Sequence, residues 1–117
     1  MRCIDANQVQ PGEVCEVGAK GVQVQWLLAS AEGAPNFALR RFSLEANGQT
    51  PSHSHPWEHE VYVLQGGGAV VTDEGETPLH PECAVLVLPD EVHCFRAGDE
   101  GLQFLCLVPM GEATKGH

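Results

Sequence analysis

Apolar and polar residues alternate with a period of two over most of the chain. The segment 22–26, Val-Gln-Val-Gln-Trp, has the clearest pattern. Because successive side chains of a strand point to opposite faces, this period is typical of a strand with one buried face. The same alternation, or a short apolar run, predicts further strands over 37–44, 60–65, 69–72, 84–88, 92–96 and 102–108.

Turn-forming residues separate these runs at short intervals. Gly66-Gly67-Gly68 is expected to close the strand over 60–65, and Ala97-Gly98-Asp99 to separate the last two strands. The stretch 29–36 contains Gly33 and Pro35, so it is expected to be a loop, and no segment predicts a helix. Many short strands at this spacing are typical of an all-β sandwich or barrel.

The length of 117 residues fits a single domain over 1–117. The polar end, 111–117, is expected to be a frayed C-terminal tail. Six basic and sixteen acidic residues give a formal net charge of -10. Such a surface repels nucleic acid and anionic lipid, so neither a nucleic acid nor a membrane is expected as a partner.

The five cysteines have no Cys-x-x-Cys spacing, and their number is odd. The N-terminal residues do not resemble a signal peptide, and no apolar run is long enough for a membrane helix. We therefore expect reduced thiols and a cytoplasmic location.

Three histidines fall within the segment 53–59, which reads His-Ser-His-Pro-Trp-Glu-His. Residues two apart on a strand share a face, so His53 and His55 are expected to point the same way. His59 opens the next predicted strand and offers a third imidazole. His93, on another strand, is the candidate for a fourth, whereas His80 has no spaced partner.

Imidazole nitrogens are suitable ligands for manganese, iron, nickel, copper and zinc. The cluster therefore predicts a metal site. Four protein ligands in an octahedral arrangement leave two open positions, which favours chemistry over a purely structural role.

The two histidine segments resemble the two conserved motifs of the cupin superfamily, here over 48–67 and 85–96. The first reads His53-x-His55-Pro-Trp-Glu-His59-Glu60 and ends in a glycine turn, and the second has a proline turn before His93. The whole chain is most similar to small single-domain cupins with an all-histidine site. The resemblance implies a jelly-roll barrel of six to eight strands, usually a homodimer. It also implies one divalent transition metal per chain, held by His53, His55, His59 and His93, with manganese favoured and iron, copper, nickel or zinc as alternatives.

Many cupins use a glutamate as the third ligand of this set, which leaves Glu60 as an alternative to His59. The Pro-Trp-Glu-His-Glu form favours His59, because it resembles the four-histidine subgroup. The region after the second motif's histidine departs from the family, since it reads Arg96-Ala97 where asparagine is usual.

Other residues with a candidate role lie near these motifs. Phe104 and Cys106 share one face of the last strand, and both are candidates to flank the metal pocket. Trp57 is a candidate for packing or substrate contact. Of Arg40 and Arg41, one could reach inward to an anionic ligand.

The leading functional hypothesis is a metal-dependent oxidoreductase of the dioxygenase kind, acting with O2 on a small organic substrate. The resemblance implies oxidative cleavage of a C=C bond. Two alternatives stay open: a non-redox isomerase or hydrolase that uses the ion as a Lewis acid, and a barrel that binds a small molecule or metal without turnover. Glu58 and Glu60 are the only evident candidates for a general base, which weighs against hydrolysis.

Overall fold

The computed structural model describes residues 1–117 and has seven strands, all paired in antiparallel fashion. The sheet follows the order β1-β2-β3-β7-β4-β5, and β6 pairs with β4. Together they form a single-domain jelly-roll barrel, as the sequence predicted. The strands are β1 (Gly12–Glu13), β2 (Lys20–Leu28), β3 (Phe37–Gln49), β4 (His59–Thr72), β5 (Gly75–Leu79), β6 (Ala84–Val87) and β7 (His93–Pro109).

The long strand β7 lies at the centre of the sheet. It pairs with β3 from Phe37 to Leu44 and with β4 along most of its length. Apolar side chains of alternate positions fill the barrel, and the largest fully buried ones are Phe104, Val63, Val87, Val108 and Cys106. Strand β7 is hydrogen-bonded on both sides and has one face in this core. The residues at its ends are therefore held in fixed places.

Two predicted turns are instead continuous strand. Gly66-Gly67-Gly68 lies inside β4, and Ala97-Gly98-Asp99 lies inside β7. The pairing of β4 with β7 shifts register between Val63 and Gln65 and between Gly66 and Gly68. Such bulges bend a strand around a barrel without ending it, so glycine here produces curvature where a turn was expected.

The C-terminal tail, which was expected to fray, packs against the barrel in the structure. Its residues Glu112–Thr114 form one turn of 3-10 helix, and Thr114 is buried. The ring of His117 stacks on Trp26, with ring centroids 3.9 Å apart. The absence of any α-helix was predicted, but three short 3-10 turns are present over Ala6–Gln8, Ser30–Glu32 and Glu112–Thr114. No helix is long and apolar enough to cross a membrane.

Candidate metal centre

A pair of backbone hydrogen bonds brings the two histidine segments together. His53 lies between β3 and β4, and His93 is the first residue of β7. The amide of His53 donates to the carbonyl of His93 at 3.1 Å, and the amide of His93 donates to the carbonyl of His53 at 3.0 Å. This isolated bridge fixes His53 opposite His93, although 39 residues separate them in the chain.

The side chains of His53, His55 and His93 are positioned to bind a metal ion. One nitrogen of each ring lies within 4.8 Å of the others. The ring centroid of His53 is 5.0 Å from that of His55 and 5.2 Å from that of His93. The rings are steeply inclined to each other, so their edges converge on a common point rather than stacking.

Hydrogen bonds to the Nδ1 atoms of His55 and His93 fix the orientation of both rings, so that Nε2 faces the common point. His55 Nδ1 donates to the carbonyl of Trp57 at 3.0 Å, and His93 Nδ1 donates to the carbonyl of Glu91 at 2.8 Å. A carbonyl oxygen only accepts, so both Nδ1 atoms carry the proton and both Nε2 atoms keep a free lone pair. Outer partners of this kind orient histidines that ligate metals.

His59 lies beside these three rings and is buried. Its Nδ1 is 3.0 Å from Cys106 Sγ, and its Nε2 is 2.6 Å from Nε2 of His55. At this distance the two nitrogens are close enough to face the same metal ion. His59 therefore has a suitable position for the predicted fourth ligand, and its ligation stays a prediction.

Burial favours the neutral forms of His53, His55 and His59. Desolvation, with a smaller effect of the nearby His93, lowers the pKa of His53, and desolvation also lowers the pKa of His55. Desolvation and then the charge of Arg40 lower the pKa of His59 to about 2. Metal ions bind the neutral form of imidazole, so these donors fit a divalent transition metal at neutral pH.

The carboxylates named by the sequence analysis lie elsewhere. Glu58 and Glu60 are exposed and border a groove on the outer surface, because Glu60 alternates with the buried His59 on β4. Glu60 is thus not placed to replace His59 as a ligand. The acidic side chains that face the histidines are Glu13 and Glu16, both exposed at the cavity rim.

An open cavity of about 320 Å³ adjoins the histidines. Phe104 and Cys106 line the cavity, as the shared face of their strand indicated. Cys94 is not part of the cavity wall. Aromatic and apolar side chains form much of the remaining wall. Its other members include Val22, Val24, Trp26, Arg40, Phe42, Thr50, Phe95 and His117.

Two cavity residues were not assigned from the sequence. The choice between Arg40 and Arg41 stayed open there, and the structure turns Arg40 inward, on the same face of β3 as Ala38 and Phe42. Apolar residues occur on both faces of this strand, since Phe37 and Leu39 alternate with Arg41, so the alternation alone left the choice open. His117 had no comparable signal, since nothing in the tail indicates contact with Trp26.

Several solved structures have a fold similar to that of this chain. The polyketide cyclase RemF from Streptomyces resistomycificus is 34% identical, over 95% of this chain and 80% of that one, with a TM-score of 0.90. A cupin-2 domain protein from Rhodospirillum rubrum is 25% identical, over 94% and 75% of the two chains, with a TM-score of 0.83.

A predicted oxalate decarboxylase from Thermotoga maritima is 22% identical, over 92% of this chain and 98% of that one, with a TM-score of 0.81. At that identity the likeness concerns the fold alone. No curated protein sequence matches the chain. A family model described as a cupin domain matches residues 40–108, which include all four histidines of the site. The chain therefore belongs to the cupin superfamily.

Proposed function

We propose that this protein is a metal-dependent enzyme that cyclises an enolisable carbonyl compound without redox chemistry. The observation that carries this proposal is the position of the imidazole cluster in the wall of an open cavity that apolar and aromatic side chains partly line. A structural metal site is normally closed by its own ligands. The 34% identity to a polyketide cyclase favours this reaction class among the many that the fold hosts.

The residues suited to hold the metal are His53, His55 and His93, with His59 as the fourth. A bound divalent ion supplies Lewis acidity that polarises a carbonyl group and favours its enolate. In an aldol-type cyclisation, the enolate carbon bonds to a second carbonyl carbon of the same molecule. The proton removed from the first carbon ends on the new alkoxide oxygen, so the step needs no oxidant or co-substrate.

The chain's own groups have separate tasks in this scheme. Trp26, Phe42 and Phe104 make part of the cavity wall apolar, which favours an apolar substrate and excludes water. Glu16, at the rim and close enough to influence His53 electrostatically, is the carboxylate best placed to accept a proton. Cys106 holds the ring of His59 in place through its sulfur.

A dioxygenase is the second candidate. The observation in its favour is the donor set, because neutral imidazoles serve manganese, iron and copper as well as zinc. In that reaction both oxygen atoms of O2 enter the substrate, and one carbon–carbon bond is cleaved. The substrate would again be an electron-rich alkene or enol.

The first experiment measures metal content of the purified protein by elemental analysis. We expect about one divalent metal per chain in the wild type, as four imidazole donors predict, and its loss in His53→Ala/His93→Ala. His80→Ala is the matched control, since this exposed histidine lies outside the cavity. A wild type that contains no metal and takes up neither manganese, iron nor zinc would contradict the proposal.

The second experiment separates the two reactions. Zinc-loaded and iron-loaded protein are incubated with a linear β-polyketone, and product mass and dissolved oxygen are followed. Cyclisation predicts product with the redox-silent zinc form, of unchanged mass or lighter by one water, without oxygen uptake. Oxygen uptake with the iron form only, and two fragments whose combined mass exceeds that of the substrate by two oxygen atoms, would favour the dioxygenase instead.

A further inference from the structure

Arg40 carries a positive charge into the cavity without an acidic partner. It lies on β3 at the cavity wall and is partly buried. Its Nη2 donates to Cys106 Sγ at 3.1 Å, but its buried Nε–H has no hydrogen-bond partner. The single salt bridge of the protein joins Arg96 to Glu76 and does not involve Arg40.

An unpaired buried donor on a cation is costly, and folded proteins usually provide an acceptor for it. This chain has sixteen acidic residues, yet none pairs with Arg40. The two carboxylates that line the cavity, Glu13 and Glu16, are exposed and form no salt bridge with it. The charge of the guanidinium therefore has no anionic partner within the protein.

The guanidinium is held in position by aromatic rings. Its Cζ atom lies 5.2 Å from the centroid of Trp26 and 4.9 Å from that of Phe42, which are cation–π distances. Arg41, the next residue, has hydrogen-bond partners for both its Nε and its Nη2 atoms. It turns to the other face of β3, where its Nε donates to Gln25 Oε1 at 2.8 Å and its Nη2 to Asn7 Oδ1 at 3.4 Å.

We infer that the cavity binds planar, largely apolar molecules that bear an anionic oxygen, and that Arg40 pairs with that oxygen. A carboxylate or an enolate oxygen supplies the anionic partner that the guanidinium lacks, while the apolar part of the wall packs against the planar body. This inference rests on the proposed function only in placing the substrate in the cavity. The inference adds that the substrate is anionic and that Arg40 determines this specificity.

The rim carboxylates Glu13 and Glu16 favour one orientation of the bound ligand. Glu13 and Glu16 repel an anion at the mouth, whereas Arg40 attracts it deeper in the cavity. The bound molecule would thus enter with its charged oxygen toward Arg40 and its neutral part toward the mouth. Arg40 raises the affinity for anions. It is expected to have no effect on the affinity for a neutral analogue of the same shape.

Calorimetric titration with 2-naphthoate and with its neutral analogue 2-naphthamide tests the inference. We expect metal-loaded wild type to bind the carboxylate about tenfold more tightly than the amide, as a charge-assisted hydrogen bond predicts. Arg40→Gln should remove this preference by weakening naphthoate binding and leaving naphthamide binding unchanged. Arg41→Gln is the matched control and should keep the wild-type ratio.

Both ligands are also titrated into chelator-treated protein, because a metal ion can itself attract a carboxylate. A preference for naphthoate that survives in Arg40→Gln, or that disappears with the metal in the wild type, would overturn the role of Arg40. Equal affinities of the wild type for the two ligands would overturn it without any variant. Since no turnover is measured, a failed cyclase assay leaves this test intact.

Discussion

At the scale of single residues, Cys106 links the metal-facing and the cationic parts of the cavity. Its sulfur accepts from Arg40 and is hydrogen-bonded to Nδ1 of His59. Burial raises the pKa of the Cys106 thiol, and the charge and hydrogen bond of Arg40 offset part of that rise. A buried cysteine often serves only as a small apolar residue, but here its sulfur is a polar partner.

Cys106→Val should therefore destabilise the protein more than its small change in volume suggests. The change leaves Arg40 Nη2 and His59 Nδ1 without a partner, and a buried unsatisfied donor costs about 1–3 kcal/mol. Cys106→Ser keeps a hydrogen-bonding atom and should cost less. The free energies of unfolding are measured by urea denaturation.

Cys94→Val is the control, since Cys94 is buried on the same strand and has no side-chain hydrogen bond. Equal losses for Val at positions 94 and 106 would mean that the sulfur of Cys106 acts as packing alone.

The sequence predicted part of the site residue by residue. The spacing of His53 and His55 on an extended segment placed two imidazoles together, and the structure keeps them so. The inward turn of Arg40 could not be assigned, because two adjacent arginines satisfy the same alternation until the register of β3 is known. The hydrogen bond between Cys106 and His59 depends on pairing across 47 positions, which no local pattern contains.

At the scale of elements, the glycines of β4 allow close approach to β7. A Cβ atom on Gly68 would clash with the carbonyl oxygen of Arg96, and one on Gly66 would clash with that of Gly101. Gly66 also has a φ of +83°, which favours glycine over any other residue. The bend of β4 and its pairing with β7 thus depend on the absence of side chains here.

Gly68→Ala should reduce the free energy of unfolding by about 3 kcal/mol, since backbone must move to admit the methyl group. Gly12→Ala is the matched control. Nothing lies within 4 Å of a Cβ atom at position 12, so its effect should stay within about 0.5 kcal/mol. Thermal and urea unfolding measure both, and a Gly68 variant as stable as the Gly12 variant would contradict the close approach.

The strand positions were largely predictable, whereas their lengths were not. The apolar runs over 60–65 and 69–72 are both strand, but they belong to one element, β4. The runs over 92–96 and 102–108 likewise belong to β7. Glycine and polar residues interrupt the local period at both junctions. Continuous hydrogen bonding to neighbouring strands overrides that interruption, and a local pattern does not contain those partners.

At the scale of the whole molecule, the neutral histidine cluster links stability to pH. In the unfolded chain these imidazoles have a pKa near 6.5, whereas burial lowers the pKa of His53, His55 and His59 in the folded protein. Below about pH 6.5 the unfolded chain therefore binds more protons than the native one. Protons then favour unfolding, and the stability present above pH 6.5 is lost as the pH falls.

We predict that metal-free protein loses stability between pH 6.5 and 4.5, by up to about 1.4 kcal/mol per pH unit for each such histidine. His59→Gln should reduce the slope, because the pKa of His59 is lowered furthest, to about 2. The exposed His80→Gln is the control and should keep the slope. Urea denaturation at a series of pH values measures the slope of stability against pH. An unchanged slope in His59→Gln would contradict the contribution of His59 to it.

The all-β, single-domain architecture was predictable from the period of two, and the comparisons confirm the resemblance to cupins. The order of strands was not predictable from periodicity. The sheet places β7 between β3 and β4, so the first histidine motif and the second meet only through a non-sequential pairing. Many strand orders satisfy the same alternation, and the order is selected by packing of the whole core.

The central position of β7 has a consequence for biosynthesis. Its pairing with both β3 and β4 joins the two halves of the sheet, yet a ribosome makes it after all the other strands. Until β7 has left the exit tunnel, the nascent chain exposes the unpaired edges of β3 and β4 together with their apolar faces. The barrel therefore closes late, and chaperones that shield nascent β-strands should bind this chain during its synthesis.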